Sequence, residues 1–182
     1  MGSRRLRAPT GDATRPTSDR VREALFSVLG GRSVLADARV LDVFAGTGAL
    51  GLEALSRGAT RVTFVERDAK ALVCLRANVD ELGLVSECKV HACAVEAFVR
   101  RAQPEFSLLL ADPPYALVRS PGFAALWDAL LNTLEPGGTA VLEHDKRDAS
   151  PASAYAALAL TRDYGDTTIA IYVAHAAPAT SY

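Results

Sequence analysis

The chain has 182 residues, 49% of them hydrophobic and 23% charged, and a formal net charge of −1. That length suits one domain with a substantial core, and the near-neutral balance excludes a molecule-wide field advertising nucleic acid or membrane. Three cysteines, no signal peptide and no apolar run long enough for a bilayer point to a cytoplasmic protein with free thiols and no membrane partner.

Local charge is less even. Arg4, Arg5, Arg7, Arg15, Arg20 and Arg22 crowd the first 22 residues against Asp12 and Asp19. Residues 1–16 show no periodicity and read as a basic arm of the kind that grips phosphates, and residues 17–182 as one domain. Thr17 or Ser18 caps a helix whose apolar face is Val21, Ala24, Leu25, Val28 and Leu29, stopped by Gly30-Gly31. A buried strand follows from Val40, passes the acid Asp42 and turns through Gly46 and Gly48 into a helix over Ala49–Ser56.

The strand Arg61–Val65 delivers Glu66, and Ala69–Leu82 is a helix closed by Gly83. A third strand spans Glu87–Ala92 and a helix Val95–Arg101. Phe106–Ala111 is a nearly continuous apolar run, as a central parallel strand requires. It stops at Asp112-Pro113-Pro114-Tyr115, followed by a loop over 116–120. A helix over Gly122–Leu134 ends at Pro136-Gly137-Gly138, and Thr139–Glu143 forms a fifth strand. A short helical stretch is expected at Ala152–Ala157. Leu158–Leu160 and Thr167–Ala174 then form a hairpin around Tyr164-Gly165-Asp166. Cys88, His91 and Cys93 lie close together without a fourth ligand, and strand alternation accounts for them, so no metal is expected.

Gly46-Thr47-Gly48-Ala49-Leu50-Gly51 fits the G-x-G-x-x-G pattern, and Glu66 ends the next strand as in a dinucleotide-binding unit. Two details argue against nicotinamide. Asp42 stands four residues before the first glycine, where a carboxylate suits an ammonium or sulfonium better than a pyrophosphate, and Asp112-Pro113-Pro114-Tyr115 closes the fourth strand. Each residue has a plainer reading. Asp42 caps the next helix, Glu66 is a surface acid beside Arg67, and Ala94 and Val95 are core residues at a helix start rather than walls for an adenine.

With these residues the chain resembles the class I S-adenosylmethionine-dependent methyltransferases: Asp42-x-Phe44-x-Gly46-x-Gly48 their first motif, Glu66 their ribose-binding acid, Asp112 to Tyr115 their amino-methylating tetrapeptide. Reading outward, Arg15-Pro16-Thr17-Ser18-Asp19-Arg20-Val21-Arg22-Glu23-Ala24-Leu25-Phe26 and the block from Phe44 to Ala59 are similar to the RsmD family, bacterial 16S rRNA guanine-N2 methyltransferases. The resemblance implies a Rossmann-like α/β fold, with a seven-stranded mostly parallel sheet, one antiparallel strand and helices on both faces. It implies S-adenosyl-L-methionine held at Asp42, Phe44, Ala45, Gly46, Thr47, Gly48, Glu66, Ala94, Val95 and Asp112. Catalysis falls to Asp112, Pro113 and Tyr115, acting on a guanine N2 of 16S rRNA, free or in a small-subunit assembly intermediate, with the six arginines as RNA contacts. The alternatives are an adenine N6 in DNA, for which no DNA-reading domain fits, and a glutamine amide, whose enzymes usually carry Asn first in the tetrapeptide. A nicotinamide oxidoreductase and a non-catalytic RNA binder complete the set, the intact tetrapeptide speaking against the last.

Overall fold

The computed structural model describes residues 6–7 and 16–175, with side chains from residue 20 onward in the first helix. The elements are α1 (Pro16–Gly31), β1 (Arg39–Val43), α2 (Ala49–Ser56), β2 (Arg61–Glu66), α3 (Ala69–Leu82), β3 (Cys88–Ala92) and α4 (Val95–Val99), then β4 (Phe106–Ala111), α5 (Tyr115–Val118), α6 (Phe123–Leu131), β5 (Leu134–Asp145), β6 (Ala156–Tyr164) and β7 (Thr167–Ala174). The strands form one sheet in the order β3-β2-β1-β4-β5-β7-β6. All neighbours are parallel except β7, which runs against both β5 and β6.

Alternation along the strands splits the core into two layers. Val40, Val62, Phe64, Leu108 and Leu110 face one layer with Val21, Leu25, Phe26 and Leu29 of α1 and Leu72 and Leu75 of α3. Leu41, Val43, Val65, Leu109 and Ala111 face the other with Phe123, Trp127 and Leu130 of α6. Both faces of β1 and β4 are covered, which is why they read as unbroken apolar runs. The chain steps outward from β1 to β3 on one side and from β4 onward on the other. The carboxyl ends of β1 and β4 are therefore the point where winding reverses, the place where such sheets bind ligands.

Three expectations need correction. The helix at Ala152–Ala157 does not form. Tyr155 N donates to Ser153 Oγ at 3.0 Å, a local bond that competes with a helical turn, and Ala156 pairs with Ala174 as the first residue of β6. The helix expected to reach Leu134 ends at Leu131, because Leu134 pairs with Phe106 and starts a strand far longer than Thr139–Glu143. Pro136-Gly137-Gly138 does not end an element but forms an irregularity inside β5, with Gly137 at φ 79° and the register shifting between Phe106 and Leu108. Finally, 116–120 is not open loop: α5 occupies most of it.

Candidate active site

Backbone geometry in the turn after β1 is set by three left-handed residues, Phe44, Gly46 and Gly48, at φ 57°, 56° and 84°. A positive φ at Phe44 costs energy that only a strongly determined site sustains. The glycines divide the work. A Cβ on Gly48 would lie 2.3 Å from Leu75 Cδ1, and one on Gly51 2.4 Å from Phe64 Cε1, so these two let α2 settle against α3 and β2. A Cβ on Gly46 would meet nothing within 4 Å. Gly46 thus marks the open side of the turn, where a ligand can lie against bare backbone.

Two strand-end acids hold this turn. Asp42, 1% exposed, accepts a hydrogen bond from Gly51 N at 2.8 Å and so caps the first turn of α2 from below. Burial pushes its carboxyl up from 3.8 to about 7 against the pull of that N–H, and the nearby carboxylates of Asp112 and Glu66 add to the rise. Glu66 accepts from Gly46 N at 2.8 Å through Oε2, and from Arg67 N at 2.7 Å and Asp68 N at 2.8 Å through Oε1. It is no idle surface acid but a tie between the turns after β1 and β2. A carboxylate offers about four lone-pair sites, and backbone amides take three of these.

Val43 and Ala111 are partners in the β1–β4 ladder, so Asp112 emerges at the tip next to Phe44. Pro113 is buried, and Pro114 precedes α5 with φ −53° and ψ 132°. The Tyr115 hydroxyl lies 3.1 Å from Thr167 Oγ1, which anchors the tip of the side chain to β7. A second tie holds the far end of α5: Arg119 pairs with Asp145 at 2.8 Å and Asp148 at 3.0 Å. Asp145 ends β5 and is 2% exposed; the Arg147 and Arg119 guanidiniums beside it hold its carboxyl well below the usual carboxylate range. Register places Asp145 opposite Thr167, so both ties meet at the same end of the sheet.

The other expected site residues are spread over the start of α4, the N-terminal segment and α1. Val95 is 4% exposed and packs in the second core layer; Ala94 is the residue before α4, its carbonyl accepting from Ala97 N. Arg7 does not reach out freely: its guanidinium pairs with Glu81 and its backbone bonds to Asn78. Arg20 is exposed and Arg22 half-buried on α1, while Arg4, Arg5 and Arg15 lie outside the described residues. Sequence reasoning missed Asn78, Thr167, Arg119 and Asp145. Asp145 carried a signal, since it ends its strand with an acid as Asp42 nearly does and as Glu66 does. Cys74, Cys88 and Cys93 are free and half-buried, burial pushing the Cys88 thiol up to about 11. Among the described residues no group of three or more His, Cys, Asp or Glu is placed to hold a metal, and no helix is long and apolar enough to cross a membrane.

Residues 1–173 match the family model described as "Conserved hypothetical protein 95". The chain belongs to this family, the RsmD family of methyltransferases. YlbH of Bacillus subtilis strain 168, named provisionally as an rRNA methyltransferase, is 37% identical over 174 residues, 93% of this chain and 92% of that protein. Ribosomal RNA small subunit methyltransferase D of Escherichia coli K12 is 37% identical over 135 residues, 74% of this chain and 63% of the relative. The solved structure of yhhF from Escherichia coli, also given provisionally as a methyltransferase, superposes with a TM-score of 0.82 at 32% identity, covering 96% of this chain and 94% of that one.

Membership and fold together imply S-adenosylmethionine as the RsmD-family cofactor, and the residues here fit it. Bare backbone at Gly46 gives room, and the carboxylates of Asp42, Glu66 and Asp112 bias the crevice toward a ligand carrying a sulfonium and an ammonium.

Proposed function

We propose that this protein methylates the exocyclic N2 of a guanine in 16S rRNA, using S-adenosylmethionine. The observation that carries the reading is the placement of Asp112-Pro113-Pro114-Tyr115 at the β4 tip, beside the glycine turn and locked to β7 through Tyr115. The cofactor, when bound, supplies an electrophilic methyl group on a sulfonium. Phe44 to Gly48 cradle its methionine part, Asp42 meets its ammonium, Glu66 its ribose, and the backbone of Ala94 and Val95 flanks its adenine.

Glu66 narrows one detail. With three amides already bound, it has room for one ribose hydroxyl, and a second must displace an N–H.

A guanine N2 is a poor nucleophile because its lone pair is delocalised into the ring. The Asp112 carboxylate and the Pro113 carbonyl would accept hydrogen bonds from its two N–H groups and favour the pyramidal geometry that frees the pair. The bound cofactor would supply the methyl group to N2, and the surplus proton of the methylated amine would pass by way of the Asp112 carboxylate to water. Paired prolines stiffen that turn, and much of the gain is orientation of a pair already poised to react. Tyr115 offers the flat face on which the extruded base stacks, worth about 1–3 kcal/mol, and the tie to Thr167 keeps that face from swinging away.

The basic residues Arg4, Arg5, Arg15, Arg20 and Arg22 supply phosphate contacts that position without specifying sequence. The partner is 16S rRNA or a small-subunit assembly intermediate, a reading that the name of the Escherichia coli relative supports. Labelled methyl transfer to RNA from cells lacking the protein, followed by nucleoside analysis, tests it. N2-methylguanosine is expected; N6-methyladenosine would replace the acceptor, and no incorporation into RNA would refute the reading.

A further inference from the structure

Asn78 is 2% exposed on α3, and its amide is engaged by two segments remote in sequence. Oδ1 accepts from Arg7 N at 2.7 Å; Nδ2 donates to Arg7 O at 3.2 Å and to Thr47 O at 3.0 Å. By pairing with both backbone groups of Arg7, the amide acts as a one-residue strand neighbour and fixes where the N-terminal segment runs. Leu6 packs on the first core layer beside it, and the Arg7 guanidinium pairs with Glu81. The other N–H of Asn78 grips Thr47, in the same turn that Glu66 grips one residue earlier through Gly46 N.

The turn is therefore clamped at two adjacent residues. One clamp, Glu66, depends on nothing outside the sheet edge. The other depends on an amide whose orientation is set by Arg7. If Arg7 leaves, Oδ1 of a buried amide loses its donor, and a buried polar group without a partner is costly enough to make the side chain reorient. Reorientation takes the second N–H away from the Thr47 carbonyl.

We propose that Asn78 is a positioning residue that couples docking of the N-terminal segment at Leu6-Arg7 to the shape of the cofactor turn, so that undocking weakens cofactor binding. The inference rests on the reading of that turn as the S-adenosylmethionine site. Coupling of this kind is reciprocal: cofactor in the turn tightens the hold on the N-terminal segment by the same factor.

The test is calorimetric titration of S-adenosylhomocysteine into the full chain, a chain lacking residues 1–7, Arg7→Pro, Arg7→Ala, and each combined with Asn78→Ala. Arg7→Pro deletes the one N–H that Asn78 Oδ1 needs; Arg7→Ala keeps it and removes only an exposed ion pair, worth little. Truncation and Arg7→Pro are expected to weaken binding by about fivefold or more, Arg7→Ala to retain it, and neither truncation nor Arg7→Pro to weaken it further once Asn78 is Ala. Unchanged affinity on truncation, or losses that simply add to that of Asn78→Ala, overturns the coupling. If Asn78→Ala does not fold, the contrast between Arg7→Pro and Arg7→Ala decides alone, equal affinities overturning it. Failure of the folded full chain to bind S-adenosylhomocysteine overturns the cofactor reading itself, and the coupling with it.

Discussion

Replacing Asp42 by Asn is expected to move stability and cofactor affinity in opposite directions. The acid's carboxyl is raised from 3.8 to about 7 in the fold, so the native state holds a proton that the unfolded chain has released. For a group shifted upward in this sense, stability is highest below the unfolded value, falls as pH rises through the interval from about 4 to 7, and is flat above it. At about 1.4 kcal/mol per unit, a rise of roughly three units bounds the cost of the ionised form near 4 kcal/mol at pH 8. Relaxation and water reduce that figure. Asn removes the titration yet keeps an oxygen for Gly51 N.

The Asn variant should therefore exceed the parent in stability at pH 8 by about 1–4 kcal/mol. For a domain of this size that is a gain in Tm of roughly 2–4 °C per kcal/mol. The gain should vanish by pH 4. S-adenosylhomocysteine binding should weaken at least about tenfold, because a charge-assisted bond to the ligand's ammonium is lost. In the parent, binding should strengthen as pH rises toward 7 and release a proton, seen as a dependence of the calorimetric enthalpy on buffer. A variant less stable than the parent at pH 8, or of unchanged affinity, would refute this account of Asp42.

Four further substitutions separate the parts of the site. Asp112→Ala should lower methyl transfer by about a hundredfold or more while leaving S-adenosylhomocysteine affinity near that of the parent; an equal loss of both in calorimetry and transfer assays would point to misfolding. Glu66→Ala should weaken the cofactor by about 1.5–3 kcal/mol for each charged hydrogen bond lost, and a dissociation constant equal to the parent's would remove it from the ribose. Gly48→Ala should lower thermal stability by about 1–3 kcal/mol, since its Cβ would strike Leu75 at 2.3 Å from a backbone at φ 84°. Gly46→Ala, facing open space, should cost less stability and more cofactor affinity, which thermal melts and titration resolve together.

The half of the molecule around the glycine turn was legible because its information is local. β1, β2, α2 and α3 stand within a residue or so of their expected limits, since Gly46, Gly48 and Gly83 mark turns and caps in sequence. The C-terminal half was less legible. Alanines at 152–157 favour helix by propensity, but pairing of Ala156 with Ala174 decides otherwise. Leu134 looked like a helix end until Phe106 claimed it for β5. The ties of Asn78 to Arg7 and Thr47, and of Tyr115 to Thr167, join residues 71, 31 and 52 positions apart, a range over which no local pattern speaks. The plainer reading of Asp42 as a helix cap is met by the bond it accepts from Gly51 N.

Because β7 runs backward, it is the beginning of that strand, Thr167, that arrives at the working rim of the sheet, together with the tight bend Tyr164-Gly165-Asp166. The rim is in this way assembled from two independent sources, glycine-rich corners after β1 and a β-hairpin tip between β6 and β7. On the proposed reading, lengthening or shortening that tip would re-tailor what substrate can approach Tyr115 and leave the glycine corners untouched.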